Sequence, residues 1–97
     1  MKRSIHRLAE QDLREAADFY RREAGVGVAL RFLGEFERVA ALLDLQPGIG
    51  TPMPDGRQAF PLVGFPYSVI YRHMADEIRI LVVRHQRRDP GFGTSRG

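Results

Sequence analysis

Residues 9–24 read AEQDLREAADFYRREA, and within them Leu13, Ala16, Ala17, Tyr20 and Ala24 recur at offsets of three, four, seven and eleven. That spacing places them on one face of a helix. Glu10 and Asp12 in its first turn suit the positive end of the helix dipole, and Glu10–Arg14 and Asp18–Arg22 are spaced for pairing one turn apart. Gly25 and Gly27 predict its end, because glycine accepts the left-handed backbone that a helix terminus often needs. A second helix is predicted over residues 28–45, with Phe32, Phe36, Val39, Ala40 and Leu43 on one stripe and Leu33, Leu42 and Leu45 widening it. A stripe that wide suits two antiparallel helices packed together and then onto a sheet; a plain helical hairpin is the alternative. Pro47 stops the second helix.

Working outward, Lys2 to Arg7 is a weak strand around Ile5, justified mainly by its neighbours. Residues 48–56, with Gly48, Pro52, Pro54 and Gly56, read as an irregular loop dividing a helical half from a strand half. Three strands are expected after it, at Arg57–Val63, Pro66–His73 and Glu77–His85, with a hairpin at Met74–Asp76. The last, carrying Ile78, Ile80, Leu81, Val82 and Val83, is apolar enough to be central. The expected fold is α+β: a helical hairpin on one face of a mostly antiparallel four-stranded sheet, in the order β-α-α-β-β-β. One domain spans residues 1–97, with a tail beyond about residue 90 expected to fray.

Composition narrows the partners. The chain has 97 residues, 43% apolar and 28% charged, which places it with globular domains of small core. It has no cysteine and only three scattered histidines, so no disulfide framework, metal site or cofactor is expected. No apolar run is long enough for a bilayer, and a cytoplasmic location without membrane attachment is expected. The net charge is +3, and fourteen of the fifteen basic residues are arginine. Arginine favours planar, bidentate contacts with carboxylate or phosphate, so an acidic partner is implied, whether peptide or nucleic acid.

A family pattern runs through most of the chain. Ala9-Glu10-x-Asp12-Leu13 opens the first helix, Tyr20 stands near its end, and Arg31-Phe32-Leu33 lies in the second. Pro47 follows, then Phe65-Pro66-Tyr67-x-x-x-Tyr71-Arg72, then His85-x-Arg87-Arg88-Asp89-Pro90. Together these resemble the ParE branch of the RelE/ParE toxin superfamily. Two departures fall at the ends: Phe92-Gly93 replaces the aromatic pair that often closes the tail, and Leu8 stands where a capping Ser or Thr is common. The resemblance implies the toxin of a type II toxin–antitoxin system, in a hetero-oligomer with a cognate antitoxin whose disordered segment folds over the helices and sheet. Tyr20, Phe32, Phe36, Arg72 and Arg79 are the residues expected to meet it, although the apolar stripes also read simply as core.

The superfamily divides into ribosome-dependent mRNA endonucleases and ParE-type inhibitors of DNA gyrase. Cleavage of RNA through its own 2′-hydroxyl needs a base, an acid and cations on the phosphate. The candidates are His85, Arg57 and Arg84, with Arg87 and Arg88 nearby. Residues 51–56 offer Asp55 but no lysine or glutamate where the nucleases place one, and Gln86 stands where some carry a tyrosine. A histidine that ends a strand is more often a hydrogen-bonded structural residue. His6 and His73 are weaker candidates. Tyr67 and Tyr71, on one face of a strand, read as packing rather than base-stacking residues. Asp89 is expected to pair with Arg87 or Arg88. The favoured expectation is a non-catalytic gyrase inhibitor that binds through Arg84, His85, Arg87 and Arg88. The alternatives are an mRNA endoribonuclease working on the ribosome, and an inactive homologue kept as an antitoxin-binding module.

Overall fold

The computed structural model describes residues 2–89 and 91–97; Pro90, the last residue of the motif that begins at His85, lies outside the described residues. The elements run β1 (Lys2–Ile5), α1 (Arg7–Ala24), α2 (Val26–Leu45), β2 (Thr51–Pro52), β3 (Gln58–Pro61), β4 (Tyr67–His73) and β5 (Glu77–His85). Helix α1 begins at Arg7, two residues before the predicted stretch from Ala9, because His6 is the cap. Its extended backbone (φ −63°, ψ 140°) turns the imidazole so that Nδ1 accepts from the Leu8 N–H at 3.0 Å. A histidine thus fills the role that Leu8 could not. The turn between the helices is tighter than expected. Gly25 alone, at φ 96°, closes α1 and opens α2, and Gly27 belongs to the second helix.

The sheet has five strands in the order β1-β5-β4-β3-β2, one more than expected. The extra strand is Thr51–Pro52, drawn from the segment read as loop, which pairs with Ala59 and Gln58. Two residues, one of them proline and preceded by Gly50, carry no period of their own, so only pairing defines them. Strand β1 runs parallel to β5, and the other pairs are antiparallel. Strand β5 lies inside the sheet, between β1 and β4, consistent with its apolar run.

That run carries more apolar residues than one face can use, and a bulge resolves it. Ile70 lies opposite Val82 while Tyr71 lies opposite Ile80, which leaves Leu81 as the extra residue. Ile78, Ile80 and Val83 consequently join Val69 and Tyr71 beneath the helices, where Phe32, Phe36, Val39, Ala40 and Leu43 of α2 and Ala9 and Ala16 of α1 complete the main core. Leu81, Val82 and Ile70 form a second buried cluster on the other face, covered by Met53, Ala59 and Phe92.

The tail expected to fray therefore contributes to the packing. Phe92 lies on the second cluster, and Gly93, at φ 80°, sits so close to Val82 that a Cβ there would fall 2.5 Å from Cγ2. No helix among the described residues is long and apolar enough to cross a membrane.

Candidate functional site

The far end of β5 and the segment after it carry most of the residues singled out for target binding. His85 lies opposite Tyr67 in the register and Arg84 opposite Ser68. The chain then turns: the Gln86 N–H donates to the Pro66 carbonyl at 2.8 Å, and the Arg88 N–H to the His85 carbonyl at 2.9 Å. The His85 ring is part of this turn. Its Nδ1 accepts from the Arg87 N–H at 3.0 Å, which places the proton of the neutral ring on Nε2, and the ring stands edge-on to Tyr67 with centroids 5.1 Å apart. Burial pushes the Tyr67 phenol up, and the Tyr20 phenol adds to this while Arg88 opposes it.

Arg87 and Arg88 are exposed. Asp89 pairs with neither. Its Oδ1 accepts from the Gly91 N–H at 2.9 Å and shapes the next turn instead. The Arg88 guanidinium lies 4.4 Å from the Phe92 ring centroid, and that of Arg96 lies 5.0 Å from it. Between α1, the end of β5 and this segment is a small cleft of about 180 Å³ lined by Asp12, Glu15, Phe19, Tyr67, His85, Arg88 and Phe92.

Arg57 is not part of this constellation. It is 2% exposed, donates from Nε to Asp55 Oδ2 at 2.6 Å, and reaches the Gly93 carbonyl at 3.5 Å. Burial alone would raise the Asp55 carboxyl, but the Arg57 backbone N–H, side chain and charge outweigh it and hold it below the usual range. Arg57 precedes Gln58, which lies opposite Tyr71, whereas His85 lies opposite Tyr67. Four residues of strand separate those levels, roughly 13 Å at the usual rise. The trio His85, Arg57 and Arg84 is therefore not assembled. Arg57 instead ties the loop before β3 to the tail.

The residues expected to meet an antitoxin divide in two. Phe32 and Phe36 are core and present no surface. Tyr20 is half-buried, packed at 5.3 Å from Phe32 and 5.2 Å from Phe65 between ring centroids. The inner stripe of a helix on a sheet has the same spacing as a partner-facing one, so periodicity alone could not separate them. Phe19, Val26, Leu30 and Val63 are exposed apolar side chains. Val63 borders a broad groove of about 510 Å³ together with Tyr20, Val28, Arg31 and Phe65.

Arg72 and Arg79 lie directly opposite each other at the other end of β4 and β5. Their hydrogen-bond partners among the described residues are neutral oxygens: the Asp55 carbonyl for Arg72 at 3.3 Å and the Ser4 hydroxyl for Arg79 at 3.3 Å. Like charges directly across a pair of strands are unfavourable unless something neutralises them.

The sequence pattern offered Asp12 only as a helix-dipole and motif residue and gave no role to Arg96, yet their side chains meet across most of the chain's length. The one available signal was an arginine standing alone among glycine, serine and threonine at residues 93–97.

The two-helix, mostly antiparallel α+β architecture, with an arginine-bearing strand end beside a docked tail, makes this a small basic α+β protein. A family model described as "ParE toxin of type II toxin-antitoxin system, parDE" matches residues 4–90, and the chain belongs to that family. A solved structure described as the "Chromosomal ParDE TA system from P. aeruginosa" is similar at a TM-score of 0.77 and 25% identity, over 88% of this chain and 95% of the other. No match is found among curated proteins. Family membership makes the chain the toxin of a toxin–antitoxin pair, and so implies an antitoxin partner.

Proposed function

We propose that this toxin acts without cutting RNA, by binding DNA gyrase through the exposed end of β5 and the segment after it, and that its antitoxin holds it inactive. The observation that carries the reading is the placement of Arg57. A phosphate-binding cation of a nuclease must face the scissile phosphate beside the proton-transferring group. Arg57 is instead buried, paired with Asp55, and one residue beyond Gln58, whose level lies roughly 13 Å along the strands from that of His85. His85 has its Nδ1 engaged by a backbone N–H. What remains presented to solvent at that end is a recognition surface, with Arg87, Arg88 and the half-exposed Phe92.

The antitoxin's contacts fall elsewhere on this reading. Its apolar residues enter the groove beside Val28, Val63 and Phe65, and its acidic residues neutralise Arg72 and Arg79. A supercoiling assay with purified gyrase, run beside a translation reaction in which mRNA ends are mapped, tests the toxic activity. Loss of supercoiling with intact mRNA is expected. Cleaved mRNA with normal supercoiling would overturn the reading and return His85 and Arg84 to the role of catalytic candidates.

A further inference from the structure

Strand β1 ends at Ile5, and the last parallel pairing on that side of β5 is Ile5 with Ile80. Strand β5 continues to His85, so beyond Ile80 the edge facing away from β4 has no strand beside it among the described residues. Backbone groups on such an edge need partners when they are buried. Two side chains supply them. Asp12 Oδ2 accepts from the Val83 N–H at 3.1 Å, and Arg96 Nη1 donates to the Leu81 carbonyl at 3.1 Å. The same two side chains bind each other, Nη1 to Oδ2 at 2.5 Å and Nη2 to Oδ1 at 3.2 Å. Their side chains are only 9% and 8% exposed, Arg96 and Asp12 respectively. The carboxylate supplies an acceptor and the guanidinium a donor, as an adjoining strand would.

We propose that the Asp12–Arg96 pair is a latch that stands in for the missing strand and thereby positions the tail. On this inference Asp12 and Arg96 are positioning residues for the surface formed by Arg88 and Phe92, and contact no partner themselves. The chain of contacts is continuous. Asp12 on α1 fixes Arg96, the Arg96 guanidinium lies by the Phe92 ring, and Arg88 lies by the same ring. Gly93 completes the seat, because only a residue without a side chain fits against Val82 there. Removing one partner of a buried pair leaves an uncompensated charge. Here the chain has a local way out, since release of residues 91–97 returns the remaining partner to water while the main core beneath the helices stays intact.

The functional arm of this inference rests on the gyrase reading, whereas the latch itself is judged separately. Amide hydrogen exchange is measured on the full chain as wild type, Asp12→Ala, Arg96→Ala, the double variant and Arg96→Lys, and the same preparations are titrated into the supercoiling assay. Exchange at Val83 and over residues 91–96 should rise about tenfold or more in each single variant. The double variant should match the singles rather than multiply them, since the pair acts as a unit. Arg96→Lys, which keeps a cation and donors, should recover much of the protection. Amides of Val69, Tyr71 and Ile78, in the main core beneath the helices, should not change. The toxin concentration for half-inhibition should rise in step with tail exchange. Unchanged tail exchange in the single variants overturns the latch, and an equal rise in the core amides overturns a positioning role in favour of a general structural one. Released tails with undiminished inhibition remove the link to the target surface. A wild type that leaves supercoiling untouched refutes the gyrase reading alone and leaves the latch to the exchange data.

Discussion

Replacing Tyr71 by Phe keeps a ring in the core and removes one oxygen, so its effect can be worked from two hydrogen bonds. The Tyr71 side chain is fully buried. Its hydroxyl donates to the Pro47 carbonyl at 2.7 Å and accepts from the Gly50 N–H at 3.0 Å, pinning the chain between α2 and β2. Gly50 is buried and could carry no side chain, because a Cβ would lie 2.5 Å from that hydroxyl. In the variant the Gly50 N–H is left without a partner or a route to water, at a cost of about 1–3 kcal/mol. Pro47 is half-buried and its carbonyl can be partly hydrated, so its loss is smaller. A total of about 2–3 kcal/mol follows, which for a domain of this size lowers the melting temperature by roughly 8–24 °C. Urea unfolding followed by circular dichroism measures it, with an unchanged denaturant slope expected because the surface exposed on unfolding is the same. Tyr67→Phe is the control: no hydrogen bond to its hydroxyl is found among the described residues, and its loss should stay within about 0.5 kcal/mol. A Tyr71→Phe variant as stable as that control would refute the assignment of the hydroxyl as the pin of this loop.

Other outcomes follow from the same geometry. Burial first, then Arg79, Arg96 and Arg7, hold His6 below its ordinary value of 6.5 against the opposing pull of Asp12. The folded state binds that proton less readily than the unfolded chain, so the stabilisation is complete above that value and is lost as pH falls through the lowered one. His6→Asn keeps a helix cap that does not titrate, and should flatten this limb of the urea midpoint measured against pH. Gly93→Ala, which places a methyl against Val82 at a positive φ, should cost about 1–3 kcal/mol of tail docking and speed tryptic cleavage after Arg88, with the helical circular dichroism unchanged. Arg87→Glu with Arg88→Glu should weaken gyrase inhibition at least about tenfold and shift the melting temperature little, because both are exposed. Arg72→Ala with Arg79→Ala should instead weaken antitoxin binding, most visibly at low salt in a titration of the purified pair.

The elements that were legible in the sequence are those whose burial is one-sided and regular. The stripe from Leu13 to Ala24 and the run from Phe32 to Leu43 gave both helices, and Tyr67, Val69 and Tyr71 gave β4. The order of elements and the place of β5 inside the sheet followed from them. What was not legible depends on contacts between distant residues. Thr51–Pro52 is a strand only because Ala59 and Gln58 lie beside it, and the bulge at Leu81 appears in sequence as one apolar residue too many. For the site, the position of His85 beside an exposed arginine pair was readable, but the burial of Arg57 was not, since Asp55 two residues away gives no sign of which face the pair occupies. The tail failed for another reason. Its composition is that of a fraying end, and only the uncovered patch of Leu81, Val82 and Ile70 shows why it is held.

The arginines show how one residue type serves fold and recognition in the same small domain. Arg3, Arg14, Arg21, Arg38, Arg57 and Arg96 each face a carboxylate within the chain. Arg57 and Arg96 are the buried ones among these, and both hold the tail, through the Gly93 carbonyl and Asp12 respectively. Exposed pairs such as Arg14–Glu10 contribute little to stability, so the structural work of this residue type is concentrated in the two buried sites. Arg72 and Arg79 at one end of the sheet, and Arg87 and Arg88 beyond the other, face no carboxylate in any ion pair found among the described residues. Five residues of β4 separate the level of Arg72 from that of Tyr67 beside His85, roughly 17 Å. A separation beyond the Debye length at physiological salt makes the two cationic ends electrostatically independent, so an acidic antitoxin segment at one end does not by charge alone silence the other. On the proposed reading, neutralisation then requires the antitoxin either to extend its chain along the sheet to Arg87 or to act sterically on the gyrase complex.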